Sequence, residues 1–422
     1  MKAQHITELL IGLATVVLLA RLLGALARRL DQPAVIGEVL AGILLGPTLS
    51  GDLISGHLFP TDIRPQLTAL ATVGVAVFMF TVGLDWDLGR ARRSGTLAVT
   101  VSLSSVLLPF GLGSALGLYL LREHHSPNDV AFVLFMGIAM SITAFPVLAR
   151  ILTERGLDRT ALGALALACA SIDDVLAWSV LAGVTAVSGA AGVGQWRLLL
   201  VVPYLLGMLF VVRPLLRRLA ARGAGAGSLG PTGFACVLAG LLLSAAATEW
   251  AGLHYIFGAF LFGALIPREQ SSSLRARIHE RLGQLSQTLL LPVFFLTAGL
   301  AVDLSGIGPG ALADLGLILL VAVGGKFAGA FLAARGHGVP ARQSAALATL
   351  MNTRGLTELV ALSVGLSLGI IDRDLYSLMV VMAVVTTAMA GPLLRRLLPR
   401  RRPEAAEDWD PVVPNVPAAA RR

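Results

Sequence analysis

The chain has 422 residues and a net charge of +8; 56% of its residues are hydrophobic, only 14% are charged, and its mean hydropathy is +0.80. A soluble globular protein is about 25% charged, so the composition excludes an ordinary soluble domain and predicts a polytopic helical membrane protein. The positive charge does not indicate a nucleic-acid partner, because the arginines lie in short segments between apolar runs.

Apolar segments long enough to cross a bilayer as helices recur along the chain, whereas the short alternating segments of a membrane β-barrel do not. We predict about thirteen spans from these segments. They lie at about 6–27, 33–48, 66–84, 95–121, 128–152, 160–188, 196–213, 231–249, 253–267, 284–302, 311–334, 342–370 and 375–394.

The arginines predict the orientation of the chain in the membrane. Their clusters, at 28–29, 90–93, 213–222, 268–281 and 395–402, all fall on one side of the predicted topology. The positive-inside rule makes that side cytoplasmic, which puts the N-terminus outside and the C-terminus inside the cell (inner) membrane. Residues 1–402 are then one transmembrane domain, and the Pro- and Ala-rich segment 403–422 is a short disordered cytoplasmic tail.

Two pairs of segments indicate an internal repeat. "VFMFTVGLDWDL" (77–88) is similar to "VFFLTAGLAVDL" (293–304), and "VIGEVLAGILLGP" (35–47) is similar to "IFGAFLFGALIP" (256–267). The first repeat would cover about 6–190, a connector helix about 196–213 and the second repeat about 231–398, with six helices in each repeat. In the predicted topology the repeats have opposite orientations, as in secondary transporters whose substrate site lies at the repeat interface near the midplane.

Each predicted repeat also contains a polar interruption. In "SITAFPVLAR" (141–150), Pro146 removes a backbone donor and frees carbonyls near Thr143. In "MNTRGLTEL" (351–359), four polar or glycine residues interrupt an apolar segment. Either interruption alone could be a simple kink. At corresponding positions of two repeats, they predict two broken helices that cross near the membrane centre and line a cavity.

The segment "ASIDDVLAW" (170–178) places two carboxylates, Asp173 and Asp174, in an apolar span. Each Asp at a helix centre costs about 2.5–3.5 kcal/mol, so stability does not explain the pair. A neutral, hydrogen-bonded pair of acids is one interpretation. The other is a site at which a hard monovalent cation and a proton compete for one carboxylate, which is a minimal mechanism for antiport.

Lys326 is the candidate counter-charge. It is one of only two lysines in the chain and lies well inside a predicted span. A buried lysine can release a proton, whereas arginine cannot, so Lys326 is the expected partner of Asp173. The alternative is a lysine that extends to the membrane surface.

The two interruptions supply the remaining candidates. Arg354 and Glu358 are one helical turn apart, and they either neutralise each other or offset the dipoles of the broken helices. We expect the crossing to contribute cation ligands and dipole compensation through Ser141, Thr143, Asn352, Thr353, Arg354 and Glu358.

Together these motifs carry a family resemblance. "QPAVIGEVLAGILLGP", "SITAFPVLARIL", "ASIDDVLAW", "FGAFLFGALIP", "VFFLTAGL" and "MNTRGLTELVAL" resemble the monovalent cation:proton antiporters. The branch they resemble contains the plant cation/proton exchangers and bacterial potassium-efflux transporters. The resemblance implies an all-α sodium/proton antiporter fold of about 13 helices, with a core domain that moves against a dimerising domain.

The resemblance also implies roles for particular residues. Asp174 corresponds to the ion- and proton-binding acid, Asp173 to the acid found in electrogenic members, and Lys326 to the core lysine. The expected partners are protons, Na⁺ or K⁺, the lipid bilayer and a second copy of the chain, with no nucleic acid. No cofactor, resident metal or enzymatic activity is expected.

Three other functions are weighed against antiport. An intramembrane aspartyl protease needs two Asp from facing elements, which adjacent residues on one helix do not provide. A channel usually lines its pore with rings of carbonyls or charges. A sodium-coupled organic-anion carrier could share the fold, but would require different polar motifs at the crossing.

Overall fold

The structure is a computed structural model and describes the chain in thirteen stretches. They are 3–30, 32–50, 56, 58–60, 62–85, 95–124, 126–157, 160–188, 200–224, 231–251, 253–267, 272–305 and 308–398. The predicted tail, 403–422, lies outside the described residues.

The described part of the chain is built from helices. In chain order they are α1 (Ala3–Arg29), α2 (Ala34–Leu45), α3 (Pro47–Ser50), α4 (Arg64–Asp85), α5 (Gly95–Leu120), α6 (Asp129–Ser141), α7 (Phe145–Glu154), α8 (Ala161–Val187), α9 (Val201–Gly207), α10 (Arg213–Ala224), α11 (Pro231–Trp250), α12 (Tyr255–Leu265), α13 (Ser272–Leu285), α14 (Leu291–Leu300), α15 (Pro309–Gly336), α16 (Ala341–Met351), α17 (Leu356–Ser367) and α18 (Arg373–Leu397). Short π-helical turns, Met208–Val212 and Ser286–Leu290, join α9 to α10 and α13 to α14.

These helices confirm the all-α membrane architecture. Eight helical segments in the described part are long and apolar enough to cross a bilayer, and α2, α6, α12 and α17 are shorter apolar helices. Two predicted spans are split as expected, 128–152 into α6 and α7, and 342–370 into α16 and α17. The count of thirteen spans remains a prediction.

Two helices extend beyond the spans that hydropathy predicts. The helix that covers residues 201–213 of the predicted span 196–213 continues to Ala224, and α13 begins at Ser272, ahead of the predicted span 284–302. Both extensions are rich in Arg and Leu, which favour helix, but the arginines keep them from being apolar enough to mark a span.

Glycine contacts relate the two predicted repeats. Gly42 of α2 packs against Gly299 of α14, while Gly83 of α4 packs on the backbone of Phe260 in α12, and Gly263 of α12 packs on the backbone of Phe80 in α4. In the similar segments, Gly42 corresponds to Gly263 and Gly83 to Gly299. Each contact is therefore the repeat counterpart of the other, as a pair of inverted repeats requires.

The correspondence extends to the backbone atoms that face each glycine. A Cβ at Gly42 would meet the carbonyl oxygen of Leu296, and a Cβ at Gly263 would meet that of Phe80, which aligns with Leu296. Only a residue without a side chain permits such close helix approach. The boundaries proposed for the repeats, however, remain predictions.

The helices pack in two groups. The first contains α1, α2, α4, α11, α12 and α14; the second contains α5, α6, α8, α15, α16 and α18. At the boundary, the hydroxyl of Tyr376 in α18 donates to the carbonyl of Ala298 at 3.1 Å, and the amide of Asp303 donates to Ser377 Oγ at 3.0 Å. A third bond across the boundary lies farther along α18, where the carbonyl of Ala388 accepts from Gln32 Nε2 at 3.2 Å.

We expect alanine at Gly83 to destabilise the fold. Its Cβ would meet the carbonyl oxygen of Phe260, and overpacking of this kind lowers the free energy of unfolding by about 1–3 kcal/mol. Thermal unfolding in detergent measures the change. The matched control is Gly316→Ala in α15, where a Cβ would meet no atom within 4 Å. Equal melting temperatures for the two variants would contradict the close contact.

A buried histidine joins the loop after α5 to the start of α18. His124 Nδ1 lies 2.7 Å from Asp372 Oδ2, while Asp372 Oδ1 accepts a hydrogen bond from the amide of Leu375 at 2.8 Å and caps α18. The hydrogen bond with Asp372 raises the pKa of His124 above its ordinary value of 6.5, with smaller contributions from Asp314 and Asp374, although burial opposes them. The interaction therefore favours the imidazolium form.

The raised pKa of His124 predicts a pH dependence of stability. Protonation of a group whose pKa is higher in the folded state stabilises the fold below the unfolded pKa, and this stabilisation is lost as pH rises through the folded pKa. We expect melting temperature to fall from about pH 6 to about pH 8, and His124→Ala to reduce this fall. The control is His337→Ala, which changes an exposed histidine just after α15. It should leave the fall in melting temperature unchanged. An undiminished fall in His124→Ala would contradict the assignment.

Candidate functional site

The two aspartates lie in the middle of the long helix α8. Thr160 begins this helix by accepting a hydrogen bond from the amide of Gly163 at 3.1 Å. Asp173 and Asp174 are 0% and 5% exposed, so both carboxylates are inside the helix bundle. Successive helix residues point about 100° apart, so the two side chains have different surroundings.

Asp173 accepts hydrogen bonds at both carboxylate oxygens. Ser102 Oγ lies 2.5 Å from Oδ1, and Thr143 Oγ1 lies 2.7 Å from Oδ2. Lys326 Nζ lies 3.0 Å from Oδ2, and Ser105 Oγ lies 3.2 Å from the same oxygen. Charged hydrogen bonds of this kind stabilise a buried carboxylate.

Lys326 forms the salt bridge that the sequence predicts. The side chains of Lys326 and Asp173 are both 0% exposed, which rules out a lysine that extends to the membrane surface. Lys326 Nζ also donates to the carbonyl of Ser141 at the end of α6. One turn farther along α15, Gly329 packs on the backbone of Ser104 in α5, and this close approach brings the lysine to the level of Asp173.

Asp174 has a different environment. Its Oδ1 atom is buried and has no hydrogen-bond partner among the described residues. The same is true of Asn352 Oδ1, in the second broken helix. A buried carboxylate oxygen without a donor is unfavourable unless it binds a proton or a cation. Of the two acids, Asp174 is therefore the one with free ligand capacity.

The two interruptions meet as crossing helices. α6 ends at Ser141 and α7 begins at Phe145, while α16 ends at Met351 and α17 begins at Leu356. The amide of Ala144 donates to the carbonyl of Thr353 at 2.9 Å, and Thr143 Oγ1 lies 3.0 Å from the carbonyl oxygen of Met351. These bonds join the non-helical segments to each other.

The position of Pro146 corrects one detail of the sequence interpretation. Pro146 is the second residue of α7, where a missing amide proton leaves no helical bond unmade, rather than a kink inside a continuous helix. The freed carbonyls are those of Ala139, Met140 and Ser141 at the end of α6.

Arg354 binds two of these carbonyls. Its Nη1 lies 2.5 Å from the oxygen of Ala139, and its Nη2 lies 2.6 Å from that of Met140. With Lys326 on Ser141, two cations face the negative end of the α6 dipole. Arg354 Nη1 also lies 3.0 Å from Glu358 Oε2, in the first turn of α17. Arg354 therefore pairs with Glu358 and also contacts the carbonyl end of α6, and its role in offsetting the helix dipole stays a prediction.

The predicted ligands Ser141 and Thr353 lie at the crossing, but each hydroxyl donates its proton to a backbone carbonyl of its own helix. Ser141 Oγ lies 2.9 Å from the carbonyl oxygen of Gly137, and Thr353 Oγ1 lies 2.7 Å from that of Leu350. Their lone pairs remain the only ligand capacity of these hydroxyls.

Sequence reasoning missed two residues of the site, Ser102 and Ser105. They are three apart on α5, so they share one face of the helix, and both are 0% exposed. The signal available in the sequence was a pair of hydroxyls at helical spacing in an apolar span, "VSLSSVLLP" (101–109). It is weak, because serine in a membrane helix commonly bonds to its own backbone.

Comparison with known proteins agrees with this geometry. Residues 14–400 match the model of a family described as sodium/hydrogen exchanger, transmembrane. The chain belongs to this family. Members of the sodium/hydrogen exchanger family are transporters.

Several curated relatives share most of the chain. It is 38% identical to the Na(+)/H(+) antiporter NhaS4 of Synechocystis sp., over 94% of this chain and 99% of that protein. It is also 38% identical to Cation/H(+) antiporter 20 of Arabidopsis thaliana, and 32% identical to K(+)/H(+) antiporter 1 of Saccharomyces cerevisiae, over 91% and 87% of this chain. The chain covers 48% and 44% of those two longer proteins.

A solved structure supports the fold. The sodium proton antiporter MjNhaP1 from Methanocaldococcus jannaschii, at pH 8, superposes with a TM-score of 0.64 over 93% of this chain and 97% of that one. The sequence identity is 16%, so this likeness concerns the sodium/proton antiporter fold.

We expect Arg354→Leu to destabilise the protein by about 3–5 kcal/mol, because it leaves Glu358 and two carbonyls buried without a cation. Arg354→Leu with Glu358→Leu should recover part of this loss, since the second change removes the unpaired charge. Melting temperatures of the three proteins in detergent test the expectation. If the double variant is no more stable than Arg354→Leu, the buried pair is not the source of the effect.

Proposed function

We propose that the protein exchanges Na⁺ or K⁺ for protons by alternating access, with Asp174 binding the cation and the proton in turn. The observation that carries the proposal is the buried, unpartnered Oδ1 of Asp174 beside a fully paired Asp173. Membership of the sodium/hydrogen exchanger family supports the same reaction, as do relatives named Na(+)/H(+), K(+)/H(+) and cation/H(+) antiporters.

Competition at one carboxylate couples the two ions. When Asp174 is ionised it can bind a hard cation through oxygen, and when it is protonated it cannot. Nearby oxygens that could complete the cation shell are Asn352 Oδ1, the lone pairs of the Ser141, Thr143 and Thr353 hydroxyls, and backbone carbonyls of the crossing. Because the site holds one ion or the other, each return of the carrier exchanges a cation for a proton.

Asp173 and Lys326 would act beside this site. Their salt bridge would open as the cation binds, because the cation brings a second positive charge close to Lys326. Lysine can release a proton when it loses its partner, so Lys326 could add a charge to each cycle. Arg354 and Glu358 would keep the crossing neutral throughout.

Alternating access would come from motion between the two helix groups. The site lies within the second group, which contains α5, α6, α8, α15, α16 and α18, together with the crossing helices α7 and α17 that pack against it. The first group contains the helices with the reciprocal glycine contacts, and would remain a fixed support. Such motion would break a few hydrogen bonds between the groups, for example that from Tyr376 to the carbonyl of Ala298.

The assembly and orientation are part of the proposal. We propose a homodimer in the cell (inner) membrane, with the N-terminus outside and the C-terminus cytoplasmic. The arginine clusters support the orientation. The outward faces of α1 and α9–α10 carry large exposed apolar residues, including Leu18 at 70% and Phe210 at 73%, which suit lipid or a second copy.

The rival functions fit the site less well. A protease mechanism would need both aspartates to share one water, but Asp173 is engaged by four donors on α5, the first crossing segment and α15. A channel or an organic-anion carrier is not favoured by the named relatives.

We expect the purified protein in liposomes to change the signal of an internal pH dye when Na⁺ or K⁺ is added outside. Asp174→Asn should reduce this response to that of empty liposomes, because the amide keeps the shape but cannot exchange a proton. The matched control is Asp374→Asn, an exposed acid at the start of α18, which should exchange as the unchanged protein does. Challenging in turn with Na⁺, K⁺ and Li⁺ identifies the cation, and clamping the membrane voltage reveals net charge movement. Exchange that persists in Asp174→Asn would refute the assignment of Asp174.

A further inference from the structure

We propose that Arg21 is the centre of a binding site for the phosphate group of an anionic phospholipid, on the lipid-facing side of α1. The site belongs to the first group of helices, whereas the aspartates and the crossing belong to the second. Its occupant is one phospholipid of the leaflet that surrounds the C-terminal end of α1. The inference goes beyond the proposed exchange and does not depend on it.

Arg21 has an unfavourable position for a charged residue. It lies about two turns, or about 12 Å along the axis, before Arg29 at the end of α1, a helix that is long and apolar enough to cross a bilayer. Arg21 is exposed, and the leucines around it, Leu18, Leu22 and Leu26, are 70%, 64% and 50% exposed. A charge that faces lipid inside a span is costly unless another group pairs with it.

The protein gives Arg21 a neutral partner. Its Nη2 atom donates to Thr288 Oγ1 at 3.1 Å, in the π-helical turn between α13 and α14. Within the described part of the chain this is the one hydrogen bond of Arg21, and no acid forms an ion pair with it. Glu38 of α2 approaches α1 at Gly24, which is on the buried side of the helix. Thr288 therefore holds the guanidinium in place without neutralising it, and leaves other N–H donors for a ligand.

The neighbouring charges favour an anionic headgroup over a zwitterionic one. Arg28 lies on the same face of α1 as Arg21, because helix residues seven apart differ in direction by only about 20°. Arg29 follows it, and both are exposed. The one acid in α1 within the described residues is Glu8, near the opposite end of the helix. Three arginines at one end of a span attract an anionic leaflet, and each contributes a factor of about five to the affinity.

The chemistry of the site matches a phospholipid in both of its parts. A guanidinium can form two parallel hydrogen bonds with a phosphate group, which arginine does better than lysine. The acyl chains would lie along the exposed leucines of α1. Because Thr288 precedes α14 and α1 packs against α14, a lipid on Arg21 would connect two elements of the first group.

A second copy of the chain fits this face less well. Copies related by a two-fold axis present the same surface to each other. An axis through this face would therefore bring the arginines of one copy opposite those of the other, and like charges repel. An anionic lipid is the complementary occupant.

The test is thermal unfolding of the full chain in non-ionic detergent micelles with added lipid. We expect phosphatidylglycerol to raise the melting temperature, phosphatidylcholine to raise it less because its headgroup has no net charge, and inorganic phosphate to leave it unchanged. Arg21→Gln should increase about fivefold the fraction of phosphatidylglycerol that gives half of the rise, the factor for one basic group near a membrane surface. Thr288→Val should change this fraction in the same direction, because Arg21 loses its anchor.

Two further variants distinguish a built site from general attraction. Arg335→Gln, in an exposed arginine at the end of α15, is the matched control and should leave the half-rise fraction unchanged. Arg21→Lys keeps the charge without the planar fork and should give an intermediate fraction. Native mass spectrometry counts the lipids, and we expect the unchanged protein to retain one more phosphatidylglycerol than Arg21→Gln does.

Four results would overturn the proposal. They are an unchanged fraction in Arg21→Gln, an equal increase in Arg335→Gln, an equal rise with inorganic phosphate, and a melting temperature that depends on protein concentration instead of lipid, which would assign the face to a second copy. None of these measurements involves transport. Failure of the exchange in liposomes therefore leaves the lipid site standing, and failure of the lipid site leaves the exchange standing.

Discussion

The structure depends on how the buried end of α6 is stabilised. A helix that stops inside a membrane leaves carbonyl groups with no water to satisfy them. Here Lys326 and Arg354 donate to the last three carbonyls, and each also pairs with an acid, Asp173 or Glu358. The same cations therefore satisfy the broken helix and pair with the acids of the proposed transport site, so a change at the break also changes that site.

The two aspartates show how one residue step on a helix changes chemistry. Asp173 points to Ser102, Ser105, Thr143 and Lys326, and both of its oxygens are engaged. Asp174 points elsewhere and retains a bare oxygen. Adjacent acids thus divide into one whose oxygens are both hydrogen-bonded and one that keeps an oxygen without a partner among the described residues.

The first group of helices has a different physical basis. Its helices are held by backbone contact at glycines, where α2 meets α14 and α4 meets α12. Such contacts use dispersion and close packing, because lipid offers no hydrophobic gain for apolar surfaces to meet. The second group also has a close glycine contact, at Gly329, but it is joined in addition by buried hydrogen bonds and ion pairs around the crossing. A rigid, glycine-packed support beside a polar, cation-capped group suits a protein in which one part moves against the other.

The sequence alone determined the membrane class, most helix boundaries, the two broken segments, the pair of aspartates and the lysine. These features follow from hydropathy, from breaks in helical pattern and from the cost of charge in lipid, all of which are local properties. The sequence also aligned Gly42 with Gly263 and Gly83 with Gly299, but it could not say that these glycines lie where α2 meets α14 and α4 meets α12. Only the tertiary structure assigned Arg354 to the end of α6, Ser102 and Ser105 to Asp173, and an unpartnered oxygen to Asp174. The physical reason is that a hydrogen bond between distant helices depends on their rotation and depth, and these are set by close packing at positions such as Gly329, which hydropathy does not record.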